Sequence, residues 1–213
     1  MTYNGPGRPT AAGVRGWRRG FPMPDASSLM GRKELKLQRV VVMGPPGSGK
    51  STSARHLGTR FGLPVFHLDQ IYWRPGWIES PATVFGAEVE RIAGLPTWVI
   101  DGNYTDTIAP RFRAADIVIY LDVPSWLFMW RIAWRILTNY GRVRADAAPG
   151  CPEWLDLAFL RFAWSWNRTQ RGRNLALVES FPGRKFILRG RIDRHRLCAA
   201  LGRSAAPPIT GSD

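Results

Sequence analysis

The chain has 213 residues, 45% hydrophobic and 22% charged, enough for one domain with a sizeable core. It carries 30 Lys and Arg against 16 Asp and Glu, a net charge of +14, and almost all of the basic side is arginine. No apolar run reaches the roughly 18–20 residues of a membrane span. Two cysteines make neither a disulfide framework nor a Cys-only zinc site, and three scattered histidines make no metal cluster. Such cysteine usage fits the reducing cytoplasm. The charge alone fits nucleic acid, an anionic small substrate, or the arginine bias of a GC-rich genome.

Residues 1–36 are rich in Gly, Pro and Arg and show no apolar periodicity. Such a segment cannot bury enough surface to offset its ordering entropy, so a disordered basic tail is expected. It has no apolar signal-peptide region. Met30, just before Gly31-Arg32-Lys33, is an alternative start. A nucleic-acid-binding arm is the sharper reading of the same charge.

From Arg39 onward strand and helix signals alternate. Val40-Val41-Val42-Met43 is a continuous apolar run of the kind buried on both faces. A helix is expected from about Lys50 to Phe61, stopped by Gly62 and Pro64. Val65-Phe66-His67-Leu68 is a second strand, and Thr83–Ala93 a helix with Phe85, Val89 and Ile92 near helical spacing. Trp98-Val99-Ile100, Ile117–Leu121 and Phe186-Ile187-Leu188 complete five strands. Strands separated by helices imply a parallel sheet covered on both faces, an α/β fold. A helical insert rich in Trp and Arg lies between the fourth and fifth strands.

Between the first strand and the first helix stands Gly44-Pro45-Pro46-Gly47-Ser48-Gly49-Lys50-Ser51, followed by Thr52, which fits G-x-x-x-x-G-K-[ST]. Its glycines let backbone N–H groups approach phosphate oxygens, and the helix start aims its positive dipole end at them. Lys50 adds a mobile charge for the β- and γ-phosphates, and the Ser51 hydroxyl can ligate Mg²⁺. The expected ligands are therefore ATP and Mg²⁺. No Asn-Lys-x-Asp base-reading motif of a switch GTPase is present, and the chain is short for a motor ATPase, which favours a kinase.

Four further stretches carry a family resemblance. They are His67-Leu68-Asp69-Gln70-Ile71-Tyr72-Trp73-Arg74-Pro75-Gly76-Trp77; Trp98-Val99-Ile100-Asp101-Gly102-Asn103-Tyr104; Ala115–Pro124; and Gly141-Arg142-Val143-Arg144-Ala145-Asp146 with Gly150-Cys151-Pro152-Glu153. Together with the phosphate loop, over residues 39 to about 192, they resemble the bacterial DNA topology modulation proteins, an adenylate-kinase-like branch of the P-loop NTPases. The resemblance implies a nucleoside-monophosphate-kinase-like three-layer fold. Its five-stranded parallel sheet has the order 2-3-1-4-5, and a helical Arg-rich lid follows the fourth strand. The domain is expected over 37–203, the lid over about 125–180, and a flexible end over 204–213.

In such a fold Asp101 ends the strand beside the phosphate loop, where a carboxylate can hold Mg²⁺ as a Walker B residue does; a turn Asp before Gly102 is the bland alternative. Asp69 ends the second strand, at the mouth where an acceptor sits, and is expected to orient or deprotonate a hydroxyl. Tyr72, Trp73 and Trp77 either stack on a ring substrate or pack as core. Arg74 leaves an AMP-like acceptor open. Arg131, Arg135 and Arg142 are the lid arginines expected to neutralise the transferring phosphoryl group; a solvated basic face is the bland alternative. Arg111 and Arg113 stand within reach of acceptor or phosphate. Trp126, Trp130 and Trp134 form a stripe expected to face the core. His67 and Cys151 read as packed side chains, and Asp122 as a structural residue at its turn. Two functions follow: an Mg-ATP-dependent phosphotransferase acting on a small acceptor, or a DNA-topology regulator that uses ATP as a switch. The second needs nucleic acid, for which no known binding motif is present.

Overall fold

The computed structural model describes residues 37–189. The basic tail and the C-terminal end of the expected domain lie outside the described residues. Strand β1 (Arg39–Met43) is central because its run Val40-Val41-Val42-Met43 is wholly buried, with alternate side chains entering opposite faces. It pairs in parallel with β5 (Trp98–Asp101) on one side and β6 (Ile117–Leu121) on the other. Outside these lie β2 (Val65–His67) and β7 (Arg184–Leu188), also parallel.

The sheet order is β2-β5-β1-β6-β7. Counted along the whole chain this differs in detail from the expected order, because two extra strands, β3 (Trp73–Arg74) and β4 (Ile78–Glu79), form a separate antiparallel hairpin. With the hairpin set aside, the sheet strands stand as 2-3-1-4-5.

Helix α1 (Lys50–Phe61) covers one face, and Leu57 packs with Val40, Val42, Val99 and Ile119. Helices α3 (Ala82–Ala93), α4 (Ile108–Ala114) and α7 (Arg171–Ser180) cover the other, where Val41, Met43, Ile100, Val118 and Tyr120 meet Val89, Ile92, Ile108 and Val178. Each such fully buried aliphatic side chain contributes about 1.5–3 kcal/mol. The short α2 (Leu68–Tyr72) follows β2 directly.

The insert forms α5 (Ser125–Asn139) and α6 (Leu157–Thr169). Phe128, Ile132 and Ile136 of α5 pack on Ala163 and Trp166 of α6. Asp156 caps α6 by accepting from the amides of Ala158 and Phe159.

The Trp stripe does not face the core. Trp126, Trp130 and Trp134 are 70%, 61% and 58% exposed. Helix α5 is apolar nearly all round, and two stripes share the four-residue spacing. The narrower Phe128/Ile132/Ile136 stripe takes the core because Gly47 and α6 press on it. Among the described residues no helix is long and apolar enough to cross a membrane.

Candidate active site

The phosphate loop joins β1 to α1 at the carboxyl end of the sheet. Gly47 has φ 70° and Gly49 has φ 94°, the left-handed region where a Cβ is strained. A Cβ on Gly47 would also stand 2.7 Å from the Phe128 carbonyl oxygen, so this glycine lets the loop sit directly against the lid helix. Gly49 precedes α1, whose first turn holds no side-chain cap and no carboxylate. Its leading amides therefore present an anion site. The Ser48 hydroxyl is buried without a hydrogen-bond partner, a spare polar group inside the cradle.

Lys50 reaches back to the Pro45 carbonyl at 3.0 Å. Burial pushes its amine pKa down, opposed by the charges of Asp69 and Asp101. Ser51 donates to Asp101 Oδ2 at 2.8 Å. The two groups expected to hold Mg²⁺ thus stand together at the start of α1. The oxygen-only pair suits that hard cation. Asp101 also accepts from His67 Nδ1, its register partner on β2. Burial pulls the His67 pKa down, but the hydrogen bond and charge of Asp101 outweigh it and leave the pKa raised. His67 is a buried residue, as expected, and its hydrogen-bond partner is Asp101 at the site.

The segment after β5 clasps the loop. Asn103 accepts from the Gly44 amide at 3.0 Å and donates to the Gly44 carbonyl at 2.8 Å. Tyr104 donates its phenol proton to Asp69 at 2.7 Å. Arg111 is 0% exposed and does not face a phosphate position. It donates to the carbonyls of Gly102, Asn103, Tyr104 and Thr107 at 2.6–3.3 Å, holding the segment's shape. Burial lowers its pKa to about 9, still above neutrality, so it is a buried cation fixed by carbonyl dipoles. Arg113 is exposed.

One cavity of about 990 Å³ joins these parts. Pro46, Gly47, Gly49, Lys50, Ser51 and Thr52 line its phosphate end. Asp69, Tyr72, Trp73, Trp77 and Tyr104 line the other, with Arg131, Arg135 and Arg144 from the lid side. Arg131 donates to the Ser48 carbonyl at 3.0 Å, linking lid and loop. The guanidinium of Arg135 sits 3.3 Å from Glu153 Oε2, an ion pair without hydrogen-bond alignment at Nε. It also lies over the Phe159 ring at 5.7 Å.

Arg142 is corrected. It is exposed and does not line the cavity, whereas Arg144, two residues on, does. Arg142 lends only backbone groups: its amide donates to Asn139 and its carbonyl accepts from Glu153. Arg144 bonds Glu153 Oε1 at 2.8 Å and both oxygens of Asp146 at 3.1 Å. Buried Glu153 thus bridges two lid arginines. Arg74 is exposed and outside the cavity lining. Cys151 is buried and donates to the Arg74 carbonyl, a packed thiol as expected. Asp122 is structural, as expected: it is gripped by Arg171 at 2.7 and 2.8 Å and contacts Arg189 at 3.5 Å. Asn103, Tyr104, Arg144 and Glu153 are the site residues that sequence reasoning passed over.

The five-stranded parallel sheet, the phosphate loop and the helical insert make an α/β fold of the P-loop type. Solved structures of kinases are similar to it. A shikimate kinase from Acinetobacter baumannii in complex with shikimate matches with a TM-score of 0.52 and 17% identity, over 80% of this chain and 97% of that one. A gluconokinase from Sinorhizobium meliloti 1021 gives 0.46 and 14%, over 80% and 98%. A sugar kinase from Janibacter sp. HTCC2649 gives 0.45 and 17%, over 80% and 99%. No protein-family model matches this chain, and no curated protein matches it.

Proposed function

We propose that the protein is an Mg-ATP-dependent phosphotransferase acting on a hydroxyl group of a small acceptor. The observation that carries this reading is one cavity lined by Asp69, by Lys50 and the phosphate loop, and by Arg131, Arg135 and Arg144. The fold shared with kinases supports it. The amides of Gly47, Gly49 and the first turn of α1, with the Lys50 amine, would hold the phosphates of ATP, and Ser51 with Asp101 would hold Mg²⁺. When bound, that ion neutralises developing charge on the phosphate oxygens.

Asp69 orients the acceptor hydroxyl and takes its proton as the oxygen bonds to phosphorus, while the Tyr104 phenol keeps the carboxylate turned toward the cavity. Arg131 and Arg135, with Arg144 in the place expected for Arg142, stabilise charge spread over the transferring group. The γ-phosphoryl group passes from ATP to the acceptor oxygen, leaving ADP and one proton. The resemblance to DNA topology modulation proteins carries the other reading, a DNA-associated ATP switch, and no observation among the described residues favours it.

The test is ADP release with Mg-ATP over a panel of small alcohols and nucleotides, comparing the wild type with Asp69→Asn. The expected result is acceptor-dependent release whose kcat falls ~10²–10⁴-fold in the variant, with KM for ATP little changed. Equal kinetics for the two proteins would remove Asp69 from the mechanism.

A further inference from the structure

The acceptor end of the cavity is built of rings. Tyr72 lies edge-on to Trp73 at 5.0 Å and tilted against Tyr104 at 4.8 Å, and Trp73 meets Trp77 at 5.6 Å. This chain of rings runs directly from Asp69, through the Tyr104 hydroxyl, to the β3–β4 hairpin. Trp77 is the only described non-glycine residue in the left-handed region, with φ 61°. A bulky residue there is strained and persists only where its surroundings hold it. Two bonds do so: the indole N–H donates to the Pro152 carbonyl at 3.0 Å, and Gly76 N–H donates to the Gly150 carbonyl at 2.9 Å. The indole is thus fixed at the cavity wall by the segment that also carries Glu153.

The charges tell the other half. Arg144 is engaged by Asp146 and Glu153, Arg135 by Glu153, and Arg131 reaches the phosphate loop. Arg74 and Arg113 are exposed and do not line the cavity, and Arg111 gives its donors to backbone carbonyls. Tyr72 has its pKa raised to about 12 by burial and by Glu79, so it remains a neutral phenol. The acidic side chains at this end are likewise committed: Asp69 to Tyr104, Asp156 to the cap of α6, and Asp146 to Arg144. Among the described residues the wall thus offers aromatic surface, and the cations that line the cavity are already paired with acids or turned to the phosphate loop.

We infer that the acceptor is a neutral alcohol carrying a flat ring, seated against Trp73 and Trp77 with its hydroxyl at Asp69, and that it bears no carboxylate or phosphate of its own. The inference rests on the kinase reading of the same site. Ring stacking would supply affinity, at about 0.5–1.5 kcal/mol per aromatic contact beyond area burial. An anionic acceptor would stand beside the Asp69 carboxylate, which repels it, and would compete with Asp146 and Glu153 for the lid arginines.

The test uses matched pairs that differ by one anionic group: benzyl alcohol against 4-(hydroxymethyl)benzoate, and thymidine against thymidine 5′-monophosphate. Binding to the full chain is measured by calorimetry with a non-hydrolysable ATP analogue and Mg²⁺ present, and ADP release is measured in parallel with ATP. The neutral member of each pair is expected to bind at least tenfold more tightly. Trp77→Ala should raise its Kd about tenfold, and Trp77→Phe should restore most of the loss. Tighter binding of the anionic members, or no binding of either neutral compound at millimolar concentration, overturns the inference. Absence of ADP release with every compound would instead count against the kinase reading, and the binding comparison, which needs no turnover, still decides this one.

Discussion

In the proposed reaction the phosphate loop and the lid solve the same problem, holding phosphate oxygens, by different means. The loop does it with backbone: left-handed glycines, the leading amides of α1, and one lysine. Its shape is set by local sequence and by a two-bond clasp from Asn103. The lid does it with long side chains whose positions depend on distant partners. Arg135 and Arg144 are placed by one buried carboxylate, Glu153, which comes from a segment beyond the turn at Gly141. A backbone cradle is fixed once its strand and helix form. A guanidinium is placed only when its counter-charge arrives, so the lid is where neighbouring arginines differ most in importance.

Exchange of neighbouring arginines breaks or sharpens that contrast most strongly. Arg135→Ala is expected to lower kcat by ~10²–10³-fold, the scale for losing one oriented transition-state donor. Arg142→Ala should stay within about twofold, because its exposed side chain lies outside the cavity. Steady-state kinetics on both variants checks this, and similar losses would mean that the lid closes differently from the arrangement described.

Stability separates the sheet from the outer lid. Trp98→Ala removes a fully buried ring and should cost about 3–5 kcal/mol, whereas Trp130→Ala, on the exposed stripe, should stay within about 1 kcal/mol. Urea unfolding of both measures the difference.

A smaller effect belongs to the Asp122 junction at the root of the lid. The hydrogen bonds of Arg171 hold the Asp122 carboxyl below its usual value of 3.8. A depressed carboxylate pKa gives stability that is present above the unfolded value and is lost as pH falls through the folded one. Asp122→Asn should therefore destabilise the wild-type fold by about 1.5–3 kcal/mol at pH 7, and the gap should close as pH drops below about 4. Denaturant titrations across that range test it; a gap independent of pH would assign the loss to packing.

Much of the frame was legible because its signals are local. The run Val40–Met43, the loop Gly44–Ser51 and the stop at Gly62 each specify structure within a few residues, and α1 has the expected bounds of Lys50 and Phe61. The β3–β4 hairpin was missed because two-residue strands leave no alternation to read. Arg142 and Arg144 are indistinguishable by spacing alone. The available signal was counter-charge: Asp146 and Glu153 are the nearby acids, and both pair with Arg144. The Trp stripe misled because α5 is apolar on both sides, so periodicity finds two faces and only tertiary packing chooses between them. His67 is packed, as expected, and only the register of β2 and β5 sets it opposite Asp101.

The central claim is that the phosphate loop and the acceptor wall act on one reaction in one cavity. Acceptor-dependent ADP release by Lys50→Ala, measured beside the wild type with Mg-ATP and with thermal unfolding recorded for both, tests it most directly. The account expects turnover to fall ~10³-fold or more while the unfolding temperature moves by only a few degrees, because the Lys50 amine makes one hydrogen bond, to a loop carbonyl, among the described residues. Undiminished ADP release from a folded Lys50→Ala protein would contradict it.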